Sequence, residues 1–352
     1  MPPRPPAAVT PIAFVRAIAQ GYARRGEDPA GALAAAQIPP GWLDQPQARI
    51  TASQMEKVSE HAMRELDDEA LGWFRRRLPW GSYGMLARAS ISAPTLGVAL
   101  KRWCRHHGLL TDDIALRLEV DGPHADITLE ERVDLGELRE FCQVSVLRNV
   151  LGLASWLIDS RLPLHGAAFR GPAPAHADVY RVLFPAPVSF DAPLTRVRLD
   201  ARYLQLPLRR DEQALRQMLQ HALPLMVQPY RRDRLLVARA RQLLLTQPLQ
   251  AHSAESLAAL LHVSARTLHR QLHEQGHSLQ GLKDAVRRDL AIDLLLRTRQ
   301  PIKQVAQAAG YHSEKSFIRA FRGWTGRTPA DFRRAGHGYT APAIHHTQGE
   351  ST

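Results

Sequence analysis

The chain holds only two cysteines, Cys104 and Cys142, in 352 residues. That is too few for a disulfide framework, and with no secretory leader it predicts reduced thiols in a cytoplasm. Long apolar runs are missing as well. The run that follows Met1-Pro-Pro-Arg-Pro-Pro is broken by Arg16 and Gln20, and no other stretch is long enough to span a bilayer. Metal-ligand spacing is equally scarce: Cys104, His106 and His107 lie close together, but no nearby residue completes a ligand set, so helix-end packing is expected there. His345-His346 in the tail is no better. The turn Trp80-Gly81-Ser82-Tyr83-Gly84 lacks the strand-before, helix-after setting of a phosphate loop. With no paired catalytic constellation either, the chain reads as a non-enzyme without cofactor or metal.

What it does have is one short pattern written twice between Ser256 and Arg322. Ser264, Thr267, Leu268, Arg270 and Leu272 return as Ser313, Ser316, Phe317, Arg319 and Phe321, each 49 residues on. Leu257-Ala258 return as Val305-Ala306, 48 residues on, which puts one extra residue at Gly310-Tyr311-His312. Each copy predicts helix, tight turn, helix. Leu257, Leu260 and Leu261 form an apolar stripe, as do Ile302, Val305, Ala306 and Ala309. Ser264 and Ser313 suit the N-cap of each second helix, and the small Ala258 and Ala306 let that helix cross closely. Leu268/Leu272 and Phe317/Phe321 then face inward. Arg266, His269 and Arg270 stay outward in one copy, and Glu314, Lys315, Ile318 and Arg319 in the other. A helix with arginine near its N-terminus, braced by a preceding helix, is the device that reads the DNA major groove. A helical repeat with no nucleic acid is the bland reading, and two copies in register weigh against it.

At these residues the sequence resembles a known family. Ala306 … Ala309-Gly310-Tyr311 … Ser316-Phe317 … Arg319-Ala320-Phe321-Arg322, then Thr325-Gly326 … Thr328-Pro329 … Phe332-Arg333, is similar to the signature of the AraC/XylS bacterial transcription regulators. The resemblance implies a seven-helix DNA-binding domain whose two helix-turn-helix units are joined by a long helix. Carried over by position, the base-facing residues are Arg266, His269, Arg270, Glu314, Lys315, Ile318 and Arg319. Departures fall mostly at those exposed positions, where target sequence is encoded. The joining helix is expected over 278–297, with Leu282, Val286, Leu290 and Leu294 as its stripe.

Charge follows the same division. Residues 231–338 carry 19 Lys/Arg against 8 Asp/Glu, whereas the rest carries 27 against 26. A basic module beside a neutral one is the electrostatic footprint of a DNA-binding domain joined to a domain for something else. Arg75-Arg76-Arg77 in the neutral part reads as a solvated face rather than a DNA contact.

The neutral part reads as α+β. Helices are expected over 11–25, 29–37, 51–65 (with Thr51 as cap), 95–107 and 135–160, and a β-hairpin turns at Asp121-Gly122 between Ile114–Val120 and Ala125–Glu130. Strand-like pieces surround Phe169 and Val188–Phe190. The stretch from Gly152 to Phe190, continued by Leu204, Pro207 and Leu208, resembles the ligand-binding domain of one AraC branch, which implies effector sensing and dimerisation. The full expectation is a disordered arm over 1–11, an α+β effector and dimerisation domain over 12–210 (helices on a small sheet), a linker helix over 211–229, an all-α double helix-turn-helix domain over 230–336, and a disordered tail over 337–352. Function follows: a cytoplasmic, sequence-specific DNA-binding regulator. The family resemblance implies a homodimer that responds to a small-molecule effector and activates through RNA polymerase, while the residues themselves leave activator and repressor open, since both can use the same contacts. The alternatives are an effector-independent architectural DNA binder and a DNA-repair enzyme fused to the same module. The second would need a cysteine cluster that two distant cysteines in apolar settings do not supply.

Overall fold

The computed structural model describes residues 10–219 and 233–335, apart from Leu249, His252 and Gln275, and divides into two units at Arg234/Leu235. The first unit opens with Thr10–Pro11 (β1), paired antiparallel with Arg49–Ile50 (β2). Thr10 is buried, so the arm expected over 1–11 gives way to a strand at its last two residues; residues 1–9 lie outside those described. Ile12–Arg25 (α1) and Ala30–Ala35 (α2) run between the two strands, and Ala52–Glu65 (α3) follows them. Thr51 starts α3 through a capping box: its hydroxyl accepts from the Gln54 backbone N–H, and the Gln54 side chain accepts in return from the Thr51 N–H.

An irregular loop, 66–79, then wraps a buried carboxylate. Asp68 accepts from the Arg25 guanidinium at 2.9 Å and from the backbone N–H groups of Ala70, Gly72 and Leu78 at 3.0–3.1 Å. The loop meets α1 where only glycine fits, because a Cβ on Gly21 would sit 2.1 Å from the Leu71 carbonyl oxygen. Arg75 and Arg77 close the same loop, Arg75 on Asp113 and Arg77 on the Leu66 carbonyl, both in the first unit. Ser82–Ile91 (α4) and Leu96–Leu110 (α5) come next, the latter ending three residues later than expected.

The hairpin is where alternation put it: Ile114–Asp121 (β3) and His124–Glu131 (β4) pair from Ile114↔Glu131 to Asp121↔His124. Arg139–Leu157 (α6), Leu164–Ala168 (β5), Tyr180–Leu183 (α7), Val188–Ser189 (β6), Thr195–Asp200 (β7) and Glu212–Leu219 (α8) complete the unit among the described residues. The five strands run in the order β3-β4-β7-β5-β6, antiparallel except for β5 with β6. This is the expected α+β domain, with β7 at the centre of its sheet beyond the strands expected. Helix α6 is buried almost all round, with Cys142, Val146 and Val150 inside as well as Phe141, Val144 and Leu147, which marks it as the helix the domain is built about.

The expected linker helix over 211–229 needs revision at its start. α8 buries Leu215 completely, and Leu219 packs on Gly84 of α4, so these residues belong to the first unit. Asp233 and Arg234 belong there too: the Asp233 carboxylate accepts from the Tyr203 hydroxyl at 2.5 Å, and the Arg234 N–H donates to Ser160 Oγ at 3.0 Å. The first described helix of the second unit accordingly begins at Leu236. The rest of the expected linker helix, 220–229, lies outside the described residues, as does the expected tail over 337–352.

The second unit is all helix among its described residues: Leu236–Thr246 (α9), Ala254–Leu260 (α10), Ala265–Glu274 (α11), Leu279–Arg297 (α12), Ile302–Ala308 (α13), Glu314–Thr325 (α14) and Pro329–Ala335 (α15). It holds two separate cores. Leu236, Ala240, Leu257, Leu261, Leu268 and Leu272 close the first, and Val305, Ala306, Phe317, Phe321 and Phe332 close the second. Helix α12 serves both. Leu279, Leu282 and Val286 enter the first core, and Ala291 and Leu295 enter the second. Residues of a helix turn by about 100° each, so the step from Val286 to Ala291 rotates the buried face by roughly 140°. The stripe expected to continue through Leu290 and Leu294 is therefore displaced by one residue. Two cores on opposite sides of one helix cannot share one stripe.

Candidate nucleic-acid interface

Each copy of the repeat folds as a helix pair closed by the same backbone device. In the first, the His262 N–H bonds to the Ala259 carbonyl and the Val263 N–H to the Ala258 carbonyl; in the second, Gly310 bonds to Gln307 and Tyr311 to Ala306. This six-to-one, five-to-two pattern requires a left-handed residue, found at His262 (φ 54°) and Gly310 (φ 79°). The match runs 48 residues apart up to Val263/Tyr311 and 49 from Ser264/Ser313. The extra residue of the second copy is therefore His312. Tyr311 turns inward from that point, with ring centroids 5.7 Å from Phe317 and 6.1 Å from Trp324, and the Arg287 guanidinium of α12 lies over its face.

The serines cap the second helices. Ser264 Oγ accepts from the Thr267 N–H at 3.1 Å, and Ser313 Oγ accepts from the Ser316 N–H at 3.4 Å. Ser264→Ala should lower the stability of the second unit by about 1 kcal/mol. Urea melts followed by helix signal will check this, and an unchanged midpoint would show the cap to be dispensable.

With Leu268, Leu272, Phe317 and Phe321 all fully buried, the opposite faces of α11 and α14 are fixed. Arg266, His269 and Arg270 are exposed on α11, and Glu314, Lys315 and Arg319 on α14. Ile318 differs from expectation: it is half-buried against the second core beside Phe317 and Phe321, so only its outer edge faces away from the protein. Arg266 and Arg319 make no ion pair among the described residues. Arg270 does, donating to Glu274 at 2.7 Å one turn along α11. His269 faces Glu255 at the start of α10. That carboxyl lies below its usual range, held first by its own backbone N–H and by Ser253, with His269 and Lys283 adding to the effect.

α12 fixes the spacing of these two faces, and it is braced at the side: Asp289 takes Arg241 of α9 and its own neighbour Arg288. The second unit thus presents two arginine-bearing helices from one stiff scaffold.

Residues 26–208 match the family described as the arabinose-binding domain of AraC transcription regulator, N-terminal, and residues 257–335 match a helix-turn-helix domain. The chain belongs to the AraC family of transcription regulators. This AraC-family chain is 28% identical over 330 residues to the ornithine utilization regulator of Pseudomonas aeruginosa, covering 94% of itself and 97% of that protein. It is 26% identical over 343 residues to an uncharacterized HTH-type transcriptional regulator of Mycobacterium tuberculosis, covering 94% and 98%. It is 34% identical over 90 residues to the HTH-type transcriptional regulator VqsM of Pseudomonas aeruginosa, covering 26% and 28%. The regulator therefore carries a DNA-binding domain and a ligand-binding domain. Among the described residues no helix is long and apolar enough to cross a membrane.

Two residues that brace this candidate surface leave no sign in the sequence pattern. Arg287 on Tyr311 and Asp289 on Arg241 sit on the polar side of α12, where a helical stripe says nothing about which charges meet a neighbour. Cys104 and Cys142 are both buried. Burial pushes the Cys104 thiol up to about 12 and raises Cys142 well above its usual range, the opposite of an activated nucleophile.

Proposed function

We propose that this regulator binds operator DNA as a homodimer in the cytoplasm and activates transcription through contact with RNA polymerase when a small molecule occupies its N-terminal domain. Arg266, His269 and Arg270 read one box, and Glu314, Lys315, Ile318 and Arg319 read a second. The observation that carries this reading is the pair of exposed arginine faces held by α12. Lysine and arginine at the rims fix the protein on phosphates, while Arg266, Arg270 and Arg319 bind guanine O6 and N7. Two reading helices on one DNA face enter major grooves roughly one helical turn (about 34 Å) apart. The DNA-binding domain is taken to begin at Leu235 and the effector domain to end at Arg234, where the chain divides into its two units.

Sequencing random duplexes retained by the purified protein tests this. Two enriched boxes about 10 base pairs apart are expected. Retention without sequence preference would favour an architectural binder instead. Affinity for the enriched duplex should also fall steeply with salt, since each phosphate neutralised adds about 0.9 to the log–log slope. A flat salt response would remove the phosphate-positioning role.

A further inference from the structure

Four polar atoms between α4 and α5 have no hydrogen-bond partner among the described residues: the Tyr83 hydroxyl, Trp103 Nε1 and both ring nitrogens of His107. Trp103 and His107 lie one turn apart on α5, 2% and 0% exposed. Tyr83 touches both, stacked on Trp103 at 5.9 Å between centroids and tilted over His107 at 6.1 Å, and Phe74 stands edge-on to His107 at 6.3 Å. The unpaired atoms thus belong to one nest of touching rings. A buried donor or acceptor left unpaired costs about 1–3 kcal/mol, and native interiors keep few of them. The segments that carry these rings are also held in place. The Glu69 carboxylate accepts from the Tyr83 and Gly81 backbone N–H groups at 2.7 and 2.8 Å, and Asp68 ties down the loop that carries Phe74.

We propose that this nest is where the N-terminal domain takes its effector, a small uncharged molecule presenting carbonyl or hydroxyl oxygens. The assignment rests on the effector-responsive reading above and gives it a place and a ligand class. Trp103 Nε1 can only donate, and the Tyr83 hydroxyl donates or accepts. Burial lowers the His107 pKa to about 4, so near neutral pH its ring offers one donor and one acceptor. The nest accordingly supplies up to three donors, which select oxygen acceptors on the guest. An anion is disfavoured because the nest is buried beside the Asp68 and Glu69 carboxylates; burial first, with those carboxylates adding to it, pushes the Tyr83 hydroxyl above its usual range. A cation must face the Trp103 N–H and finds both nearby carboxylates already bonded.

The full-length protein, its Tyr83→Phe and Trp103→Phe variants, and four uncharged probes (2-pyrrolidone, benzamide, benzyl alcohol and phenol) test the proposal, with benzoate and benzylamine as charged counterparts. At least one uncharged probe should raise Tm saturably and change tryptophan fluorescence, and neither charged probe should. Each variant should weaken that probe by roughly 2–10-fold, the worth of one hydrogen bond. Four silent probes would overturn the proposal. So would variants that melt higher than the parent and bind nothing, since the polar atoms would then be mere packing flaws. If a metabolite screen finds a compound that stabilises parent and variants equally, the effector reading stands and this site is wrong.

Discussion

Arg270→Ala and Arg319→Ala should each weaken binding to the enriched duplex by about 1–3 kcal/mol, and the double variant by close to their sum. Each removes a guanidinium from an outward face without touching the buried Leu268/Leu272 or Phe317/Phe321 pairs, so the fold should survive. The two positions sit on helices that pack in different cores, which is why additivity is expected. They are not equivalent, however. Arg270 must trade its Glu274 partner for a base, whereas Arg319 has no such partner to leave among the described residues. An exposed pair is worth about 0–1 kcal/mol, so Glu274→Gln should tighten binding by a few-fold at most. In an Arg270→Ala background the gain should shrink. Anisotropy titrations of the parent and these five variants at fixed salt give both cycles. Unchanged affinity in both arginine variants would show that these side chains stand in solvent and read nothing.

That asymmetry was out of reach of the sequence, although the faces themselves were legible. The repeat fixed which residues point inward because leucine and phenylalanine recur four apart, and a helix has only one way to bury such a pair. The serine caps were readable for the same local reason. What a periodicity cannot show is a helix with two masters: α12 changes its buried face between Val286 and Ala291, so a single stripe through Leu290 and Leu294 missed by one position. The place of Ile318 in the copy points it outward, yet an isoleucine next to Phe317 has apolar surface to lose and settles half against the core.

In the first unit, strand β7 was missed although Thr195-Arg-Val-Arg-Leu-Asp alternates. The outward side of that alternation is arginine, and its meaning lies in a partner on another strand: Asp126 of β4 accepts from Arg196 and Arg198 at 2.7–3.2 Å. Long-range ion pairs of that kind leave no trace in a local window. The Asp68 loop is similar, since four donors converge from positions that share no period. Both cases put the same limit on the interface: outward residues can be named from sequence, whereas the charges that restrain them cannot.

Phe321→Ala should cost about 3–5 kcal/mol and fall on one half of the DNA-binding unit. Phe321 is the hub of the second core: its ring lies 5.6 Å from Phe317, 5.5 Å from Phe332 and 6.4 Å from Trp324, with no exposed surface. Besides the aromatic rings and Leu295, the fully buried members of that core are the short Ala291, Ala306, Ala309 and Val305, which cannot reach into the space left behind. A half-domain of this size has only a few kcal/mol to lose. The first core keeps Leu279, Leu282 and Val286 of α12 and needs nothing from Phe321. Hydrogen exchange should therefore show amides from about 291 to 335 losing protection while 236–286 retain it. DNA retention should fall to the level of a single box, with the Arg266/Arg270 box still preferred. Loss of protection across both halves together would mean that α12 couples them into one cooperative unit, and the two reading helices would then be present or absent as a pair.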